Sequence, residues 1–248
     1  MTPLGQALWT RLDAAARPLT DDDLRALSPL LVIAPHADDE TLGCGCLLAR
    51  ASALGLRPRV VFLTDGSASH VDSPTWPPSR LAEARRQEAL AALSVLGLTA
   101  EQAFFMDWPD AAPLDPGSEA YGRSLARLLG WIENLDLRSL WAPRAGEPHC
   151  DHEAATALAE DLARRRPGVR RLQYLVWAWE DAAIACAGPG EQAWRLLCVG
   201  TSALRRRALD CHRTQTTGLI ADAGQAFLIP EALAAVVDRP SEIFIEQL

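Results

Sequence analysis

The sequence predicts an α/β domain in three layers, with helices on both faces of a mostly parallel sheet. Short apolar runs alternate with longer amphipathic stretches from Leu30 onward, and that alternation builds parallel sheets covered on both sides. The chain has 248 residues, 49% of them hydrophobic, which suits one large core better than two small ones. Glycine and proline are dispersed, without a low-complexity tract, a linker or a repeat of fixed period. A single domain over residues 1–248 is expected, with 1–28 as an N-terminal helical extension.

In that extension, MTPLGQALWTRLDAAARPLTDDDLRAL, one or two short amphipathic helices lead into the sheet. Leu30–Pro35 is rich in Leu, Val and Ile and predicts a buried strand. Thr41–Leu54 has a helical pattern that ends at Gly55, and RVVFLT at Arg59–Thr64 predicts a second strand stopped by Asp65-Gly66. Ser67–Ser79 carries several prolines and serines and is expected as a loop. Arg80–Leu96 is a strong amphipathic helix closed by Gly97 as a C-terminal cap. Beyond it, strands are expected at Ala103–Met106, Ser139–Ala142, Leu172–Trp179 and Glu242–Gln247. Helices are expected at Tyr121–Leu135, Glu153–Arg165 and Ala203–Thr214.

Bulk properties exclude several functions. The net charge is -8, with pI near 5.2, so the chain lacks the electrostatic footprint for a polyphosphate backbone and no nucleic-acid partner is expected. The short basic runs Arg164–Arg166 and Arg205–Arg207 are expected as solvated helix faces. Every apolar stretch falls short of the ~18–20 residues of a membrane span. The N-terminus has no basic region followed by an apolar one, as a secretory signal would. None of the six cysteines forms a C-x-x-C pair. A reducing, cytoplasmic setting is therefore expected, with most cysteines as small buried hydrophobes. Cys150 stands apart because of its neighbours.

Two clusters carry chemistry. The first, IAPHADDET at Ile33–Thr41, puts His36, Asp38, Asp39 and Glu40 at the end of the first strand. His36 and Asp39, three apart across a strand-to-helix turn, can point at one spot, and imidazole with carboxylate suits zinc or another divalent ion. Asp38, between them, can reach a water at that ion without being a ligand. A plainer alternative is that these acids cap a helix and complement its dipole. The second cluster, EPHCDHE at Glu147–Glu153, follows another strand and also opens a helix. Of five histidines in the chain, His149 and His152 lie here and His36 in the first cluster. In an open parallel sheet, ligands bind beyond the carboxyl ends of the strands, so the two clusters can converge. A His/Asp/His set with an open position is a catalytic arrangement, since structural zinc is closed by four protein ligands. Gly43-Cys-Gly45 lies inside a helix pattern, so close packing explains these glycines better than a dinucleotide turn. Trp76, Trp108 and Trp179 flank strand ends and could stack on a ligand face, with core filling favoured.

Together PHADDE and HCDH resemble the zinc-dependent PIG-L/LmbE-like family of N-acetylglucosaminyl deacetylases, with Ala37 where that family usually has proline. Further motifs are similar in the same order: Thr64-Asp-Gly66, Arg85-Arg-Gln-Glu88, Pro109-Asp110, Tyr174–Trp177 and RALDCHRTQ at Arg207–Gln215. The resemblance implies a Rossmann-like three-layer α/β/α sandwich with His36, Asp39 and His152 as metal ligands. Zn²⁺ is the implied cofactor, and Fe²⁺ would suit the same ligands. Asp38 would be the general base, His149 a cationic group stabilising the oxyanion, and Asp151 the residue that orients His149. Arg85 and Asp110 match positions that hold the sugar, while a helix ion pair and a turn are their plain structural alternatives. For His212 and Gln215, helix packing is as good an account as a direct role.

The implied partner is a small amino-sugar or glycoconjugate substrate, and the implied reaction is removal of an acetyl group from its amide nitrogen. The nearest alternative is an amidase for larger amide conjugates. A metal-binding relative without catalysis would need neither Asp38 nor His149, and a dinucleotide-binding oxidoreductase would need a glycine fingerprint that is missing.

Overall fold

The computed structural model describes residues 3–248; Met1 and Thr2 of the expected extension lie outside the described residues. Helices α1 (Pro3–Ala15) and α2 (Asp21–Ala26) flank a two-residue strand, β1 (Arg17–Pro18). A capping box starts α2: Thr20 Oγ1 accepts the Asp23 N–H, and the Asp23 carboxylate accepts the Thr20 N–H. The alternating body follows as β2 (Leu30–Ala34), α3 (Asp39–Ala53), β3 (Arg59–Thr64), β4 (His70–Val71), α4 (Pro78–Val95) and β5 (Ala103–Trp108). It continues through α5 (Glu119–Trp131), β6 (Ser139–Pro143), α6 (Cys150–Arg165), β7 (Arg170–Tyr174), α7 (Ala182–Ala185) and β8 (Glu191–Leu197). The rest comprises α8 (Ser202–Leu209), α9 (Arg213–Thr216), β9 (Gln225–Ala226), α10 (Glu231–Ala234) and β10 (Ser241–Gln247).

The main sheet has the order β1-β8-β10-β7-β6-β2-β3-β5. Its pairings are parallel except around β10, which runs antiparallel to both β7 and β8. From β2 the chain steps outward to β3 and β5, then returns to set β6 against the other side of β2, with Leu31 paired to Leu140. The reversal of strand order therefore falls between β2 and β6. A crevice opens there at the carboxyl ends of the strands, because the following helices leave toward opposite faces.

Strand alternation divides the core in two. Leu31 and Ile33 join Val61, Leu63 and Leu140 on one face, against Leu125 and Leu128 of α5 and Leu158 and Leu162 of α6. Val32 and Ala34 join Val60, Phe62 and Trp141 on the other, against Leu47 and Leu48 of α3 and Ala89 and Leu93 of α4. All five residues of β2 are buried, as expected for a central parallel strand covered on both faces.

Several expectations change. The strand expected over Leu172–Trp179 stops at Tyr174, because the Val176 and Ala178 N–H groups turn away to the Glu147 carboxylate. The helix expected over Ala203–Thr214 breaks after Leu209 and resumes at Arg213, which lets His212 turn inward. Strand β8 was not expected, since EQAWRLL mixes charges into a half-buried pattern. The Ser67–Ser79 loop contains β4, paired with β9 as a small separate ribbon. Arg205 is not on a solvated face: it is buried against Glu242 at 3.1 Å and donates to the Thr41 and Leu42 carbonyls. Cys46 and Cys198 are not isolated hydrophobes either, being joined as a disulfide that ties α3 to the end of β8.

The glycines of α3 serve packing, as expected. A Cβ on Gly43 would collide with the Tyr174 ring, and one on Gly45 would meet Arg205 Cγ at 2.6 Å. Close approach of α3 to β7 and α8 thus requires both. Trp108 and Trp179 are core residues, with Trp108 Nε1 donating to Ser124 Oγ at 2.7 Å. Trp76 lies under the Arg80 guanidinium at 4.1 Å.

Candidate active site

The turn from β2 into α3 presents His36, Asp38 and Asp39 at the crevice. Asp38 caps the helix with φ of 142°, a conformation that L residues rarely adopt and that costs about 1–3 kcal/mol. Glu40 holds it there: its Oε2 accepts the Asp38 N–H at 2.9 Å. The other carboxylate oxygen accepts from Thr41 Oγ1 at 2.6 Å and meets His212 Nε2 at 3.0 Å, with Glu40 and His212 both fully buried. Arg85 holds the Asp38 side chain, donating to its Oδ2 at 3.2 Å and to the Ala37 and Gly66 carbonyls. Gly66 makes room for this guanidinium, since a Cβ there would meet it at 2.8 Å.

The turn from β6 into α6 supplies the facing group. His152 Nε2 lies 3.3 Å from Asp39 Oδ2, which is also 3.2 Å from His36 Nδ1. The donor atoms of His36, Asp39 and His152 all lie within 4.8 Å of one another, so the ligands implied by sequence resemblance converge. Each imidazole is held from behind. His152 Nδ1 bonds Glu147 Oε2 at 2.7 Å, and His36 Nε2 bonds Asp151 Oδ2 at 3.0 Å. Carboxylates behind ligand imidazoles fix their tautomer and aim the remaining nitrogen at the ion.

The set fits a divalent cation. His152 Nε2 is buried and makes no hydrogen bond, although its ring is fixed by Glu147. Burial works against a charged His152, but Asp39 and Glu147 outweigh it and raise its pKa to about 9. Burial likewise opposes a charged His36, yet Asp110, Asp151 and Asp39 raise its pKa well above the ordinary value. Asp39 is held well below the usual carboxylate range because His152 and His36 outweigh its burial. These surroundings call for positive charge where the three donors meet. Asp38 differs: burial raises it to about 6, against the opposing pull of Arg85.

The other expected residues fall around the same cavity of about 210 Å³, lined by His36, Asp38, Arg85, Asp110 and His149 among others. His149 is at its edge with 35% side-chain exposure, its ring centroid 4.8 Å from that of His36. Burial and the neighbouring imidazoles of His36 and His152 lower its pKa, which disfavours the cationic form expected from sequence. Asp151 makes its short contact with His36 and accepts the Ala111 N–H at 2.9 Å, but lies 3.9 Å from His149 Nδ1. It therefore orients His36 more directly than His149, which instead accepts the Asp151 backbone N–H. Asp110 accepts the Ala68 N–H at 2.8 Å and lies 3.4 Å from His36 Nε2. Arg85 is turned to Asp38 and buried, yet still lines the cavity. Gln215 also lines it, its amide donating to Ser69 Oγ at 3.1 Å.

Three contributors escaped sequence reasoning. Glu147 opened the quoted second cluster, but nothing local pairs it with His152. Glu40 had the ordinary account of a helix cap. Trp177 was noted only within a strand motif, whereas the structure sets it on the cavity wall.

The sequence model of the PIG-L family, described as GlcNAc-PI de-N-acetylase, matches residues 31–163. The chain is 29% identical over 175 residues to the 1D-myo-inositol 2-acetamido-2-deoxy-alpha-D-glucopyranoside deacetylase of Kineococcus radiotolerans. That match covers 64% of this chain and 44% of the relative, so the chain spans less than half the length of this curated relative. Among solved structures, the N,N'-diacetylchitobiose deacetylase of Pyrococcus horikoshii superposes with a TM-score of 0.61 at 20% identity, covering 87% of this chain and 79% of that one. A deacetylase of the teicoplanin biosynthesis pathway gives 0.62 at 20% identity, covering 88% and 96%. At these identities the structural likeness is one of fold.

Proposed function

The chain belongs to the PIG-L family, and on that premise we propose that it is a metal-dependent hydrolase removing the acyl group from the amide nitrogen of an N-acetylglucosamine-type sugar. The observation that carries this reading is the separation of roles at one cavity. His36, Asp39 and His152 converge on a common point, while Asp38 lies beside them, buried and bonded to Arg85 instead. Zinc suits this donor set and iron(II) would also; when bound, such an ion supplies Lewis-acid polarisation of a carbonyl and a lowered pKa for water.

The protein's own groups do the rest. Asp38, ionised, accepts a proton from the water that attacks the amide carbonyl carbon. Arg85 and Glu40 fix its carboxylate and backbone, so little reorganisation is needed as the proton moves. His149 stands at the cavity edge, where its imidazole N–H can donate to the carbonyl oxygen as negative charge develops. When the C–N bond breaks, the nitrogen takes a proton from Asp38 or His149, and carboxylate and free amino sugar leave. Asp110, its carboxylate held by the Ala68 N–H, is suited to accept hydrogen bonds from sugar hydroxyls.

The test is metal content of the purified protein together with acetate release from N-acetylglucosamine and its simple glycosides. About one ion per chain with stoichiometric acetate and free amine supports the proposal. A fully loaded protein that leaves these amides and their longer N-acyl analogues intact overturns it.

A further inference from the structure

The cavity has two unlike walls. His36, Asp38, Arg85, Asp110 and His149 make the polar one, while Leu42, Val176, Trp177, Phe227, Ile229 and Leu233 make the other, apolar throughout. The apolar wall runs from floor to mouth. Leu42 and Val176 are each 2% exposed, Trp177 is half-buried, and Phe227 is 41% exposed. The Trp177 and Phe227 rings meet edge to face, with centroids 5.9 Å apart.

This wall is built rather than draped. The Phe227 N–H donates to the Ser69 carbonyl at 2.7 Å, and the Ile229 N–H to the Gln215 carbonyl at 2.8 Å. The ribbon of β4 and β9 pairs His70 with Ala226 immediately before it. From below, Glu147 fixes the Val176 and Ala178 N–H groups while bonding His152, so the wall is registered to the ligand cluster. The same ribbon region leaves Val71, Phe227 and Leu228 exposed. Apart from Leu42, every wall residue lies beyond residue 163, where the family match ends.

A fully polar saccharide would leave this wall in contact with polar groups or water. We propose that the site selects an N-acyl amino sugar carrying an apolar substituent, lodged along Val176, Trp177 and Phe227 while the sugar faces Asp110. This rests on the deacylase reading for the bond cleaved, but not for the binding preference. Each fully buried methylene strengthens binding about fourfold, so a partly enclosed six-carbon chain should gain on the order of tenfold or more.

Calorimetry with the metal-loaded protein separates the possibilities. The ligands are the methyl and hexyl glycosides of N-acetylglucosamine and the methyl glycoside of N-hexanoylglucosamine, all kept below aggregation. Tighter binding of the hexyl glycoside assigns the wall to the aglycone, and tighter binding of the N-hexanoyl compound assigns it to the acyl group. In either case Phe227→Ser should abolish the gain measured relative to the methyl N-acetyl compound in the same variant, and Phe227→Leu should retain most of it. Equal binding of all three ligands, or a preference unchanged in Phe227→Ser, overturns the proposal. Acetate or hexanoate release, followed in parallel, reports separately on the hydrolase reading. A hexyl preference without turnover would leave this inference standing and remove the other.

Discussion

Glu40 accepts the backbone N–H of Asp38 at 2.9 Å and so stabilises a residue whose φ of 142° would otherwise be strained. Its other oxygen meets His212 Nε2 at 3.0 Å, so a side chain 172 positions away steadies the turn that aims Asp38. Glu40→Gln keeps the shape but replaces one acceptor oxygen by an amide donor. Misplacing a catalytic group by about 1 Å costs on the order of a hundredfold in rate. We therefore expect kcat to fall ten- to hundredfold with KM and bound metal unchanged, and His212→Phe to fall in the same sense. Steady-state kinetics beside elemental analysis checks this, and metal lost in step with kcat would refute the positioning role.

Asp38→Ala and His152→Ala should fail differently. The first removes a proton acceptor that is not a ligand, so the protein keeps its metal while activity drops by about 10²–10⁴. The second removes a ligand nitrogen, so metal is lost as well. Metal analysis after gel filtration distinguishes them, and equal loss in both would erase the division between base and ligand.

The acid side of the rate profile should follow Asp38. Burial raises its pKa to about 6 and Arg85 opposes the rise. A base works only when ionised, so kcat/KM should climb as pH increases through this carboxyl's pKa. A cation at Asp39 pulls in the same direction as Arg85, so the midpoint should lie at or below about pH 6 in the loaded enzyme. Arg85→Met removes one of those pulls and should move the midpoint upward. A midpoint that stays put in the variant would show that the limb belongs to another group.

The Cys46–Cys198 link predicts a thiol count. Protein unfolded without reductant should titrate four thiols, from Cys44, Cys150, Cys186 and Cys211; after reduction all six cysteines should react. The link spans 152 residues, and closing such a loop is worth about 5 kcal/mol in the chain-entropy description. Cys198→Ser should accordingly lower the thermal midpoint of non-reduced protein and leave that of reduced protein nearly unchanged. Six reactive thiols before reduction would contradict the link.

The chain displayed its alternation of elements and its two His/Asp clusters because both are local signals. LLVIA before PHADDE announces a buried strand ending in charge, and His36, Asp39 and His152 stand at strand-to-helix turns that any parallel sheet brings to one edge. What stayed hidden was partnership over distance. Nothing near Glu147 says that it will back His152 and catch the Val176 and Ala178 N–H groups, ending β7 early. Arg205 looks solvated within RRR until α8 is set against Gly45 and Glu242. Arg85 and Asp151 were found as residues but not as contacts, since their bonds to Asp38 and His36 exist only after helices and loops have docked.

The placement of β10 between β7 and β8 sets an order in which the molecule can be completed during synthesis. Once residue 152 has emerged, β2, β3, β5 and β6 can already bring His36, Asp39 and His152 together. The Glu40–His212 support waits for some sixty further residues, about the length of a small domain's worth of helix and strand. β1 and β8, made far apart in time, have no seat in the sheet until residue 247 arrives to bridge them. A nascent chain could therefore assemble its His36, Asp39 and His152 cluster early while one flank of the sheet still exposes unpaired edges, and that interval is when it would most need shielding from other chains.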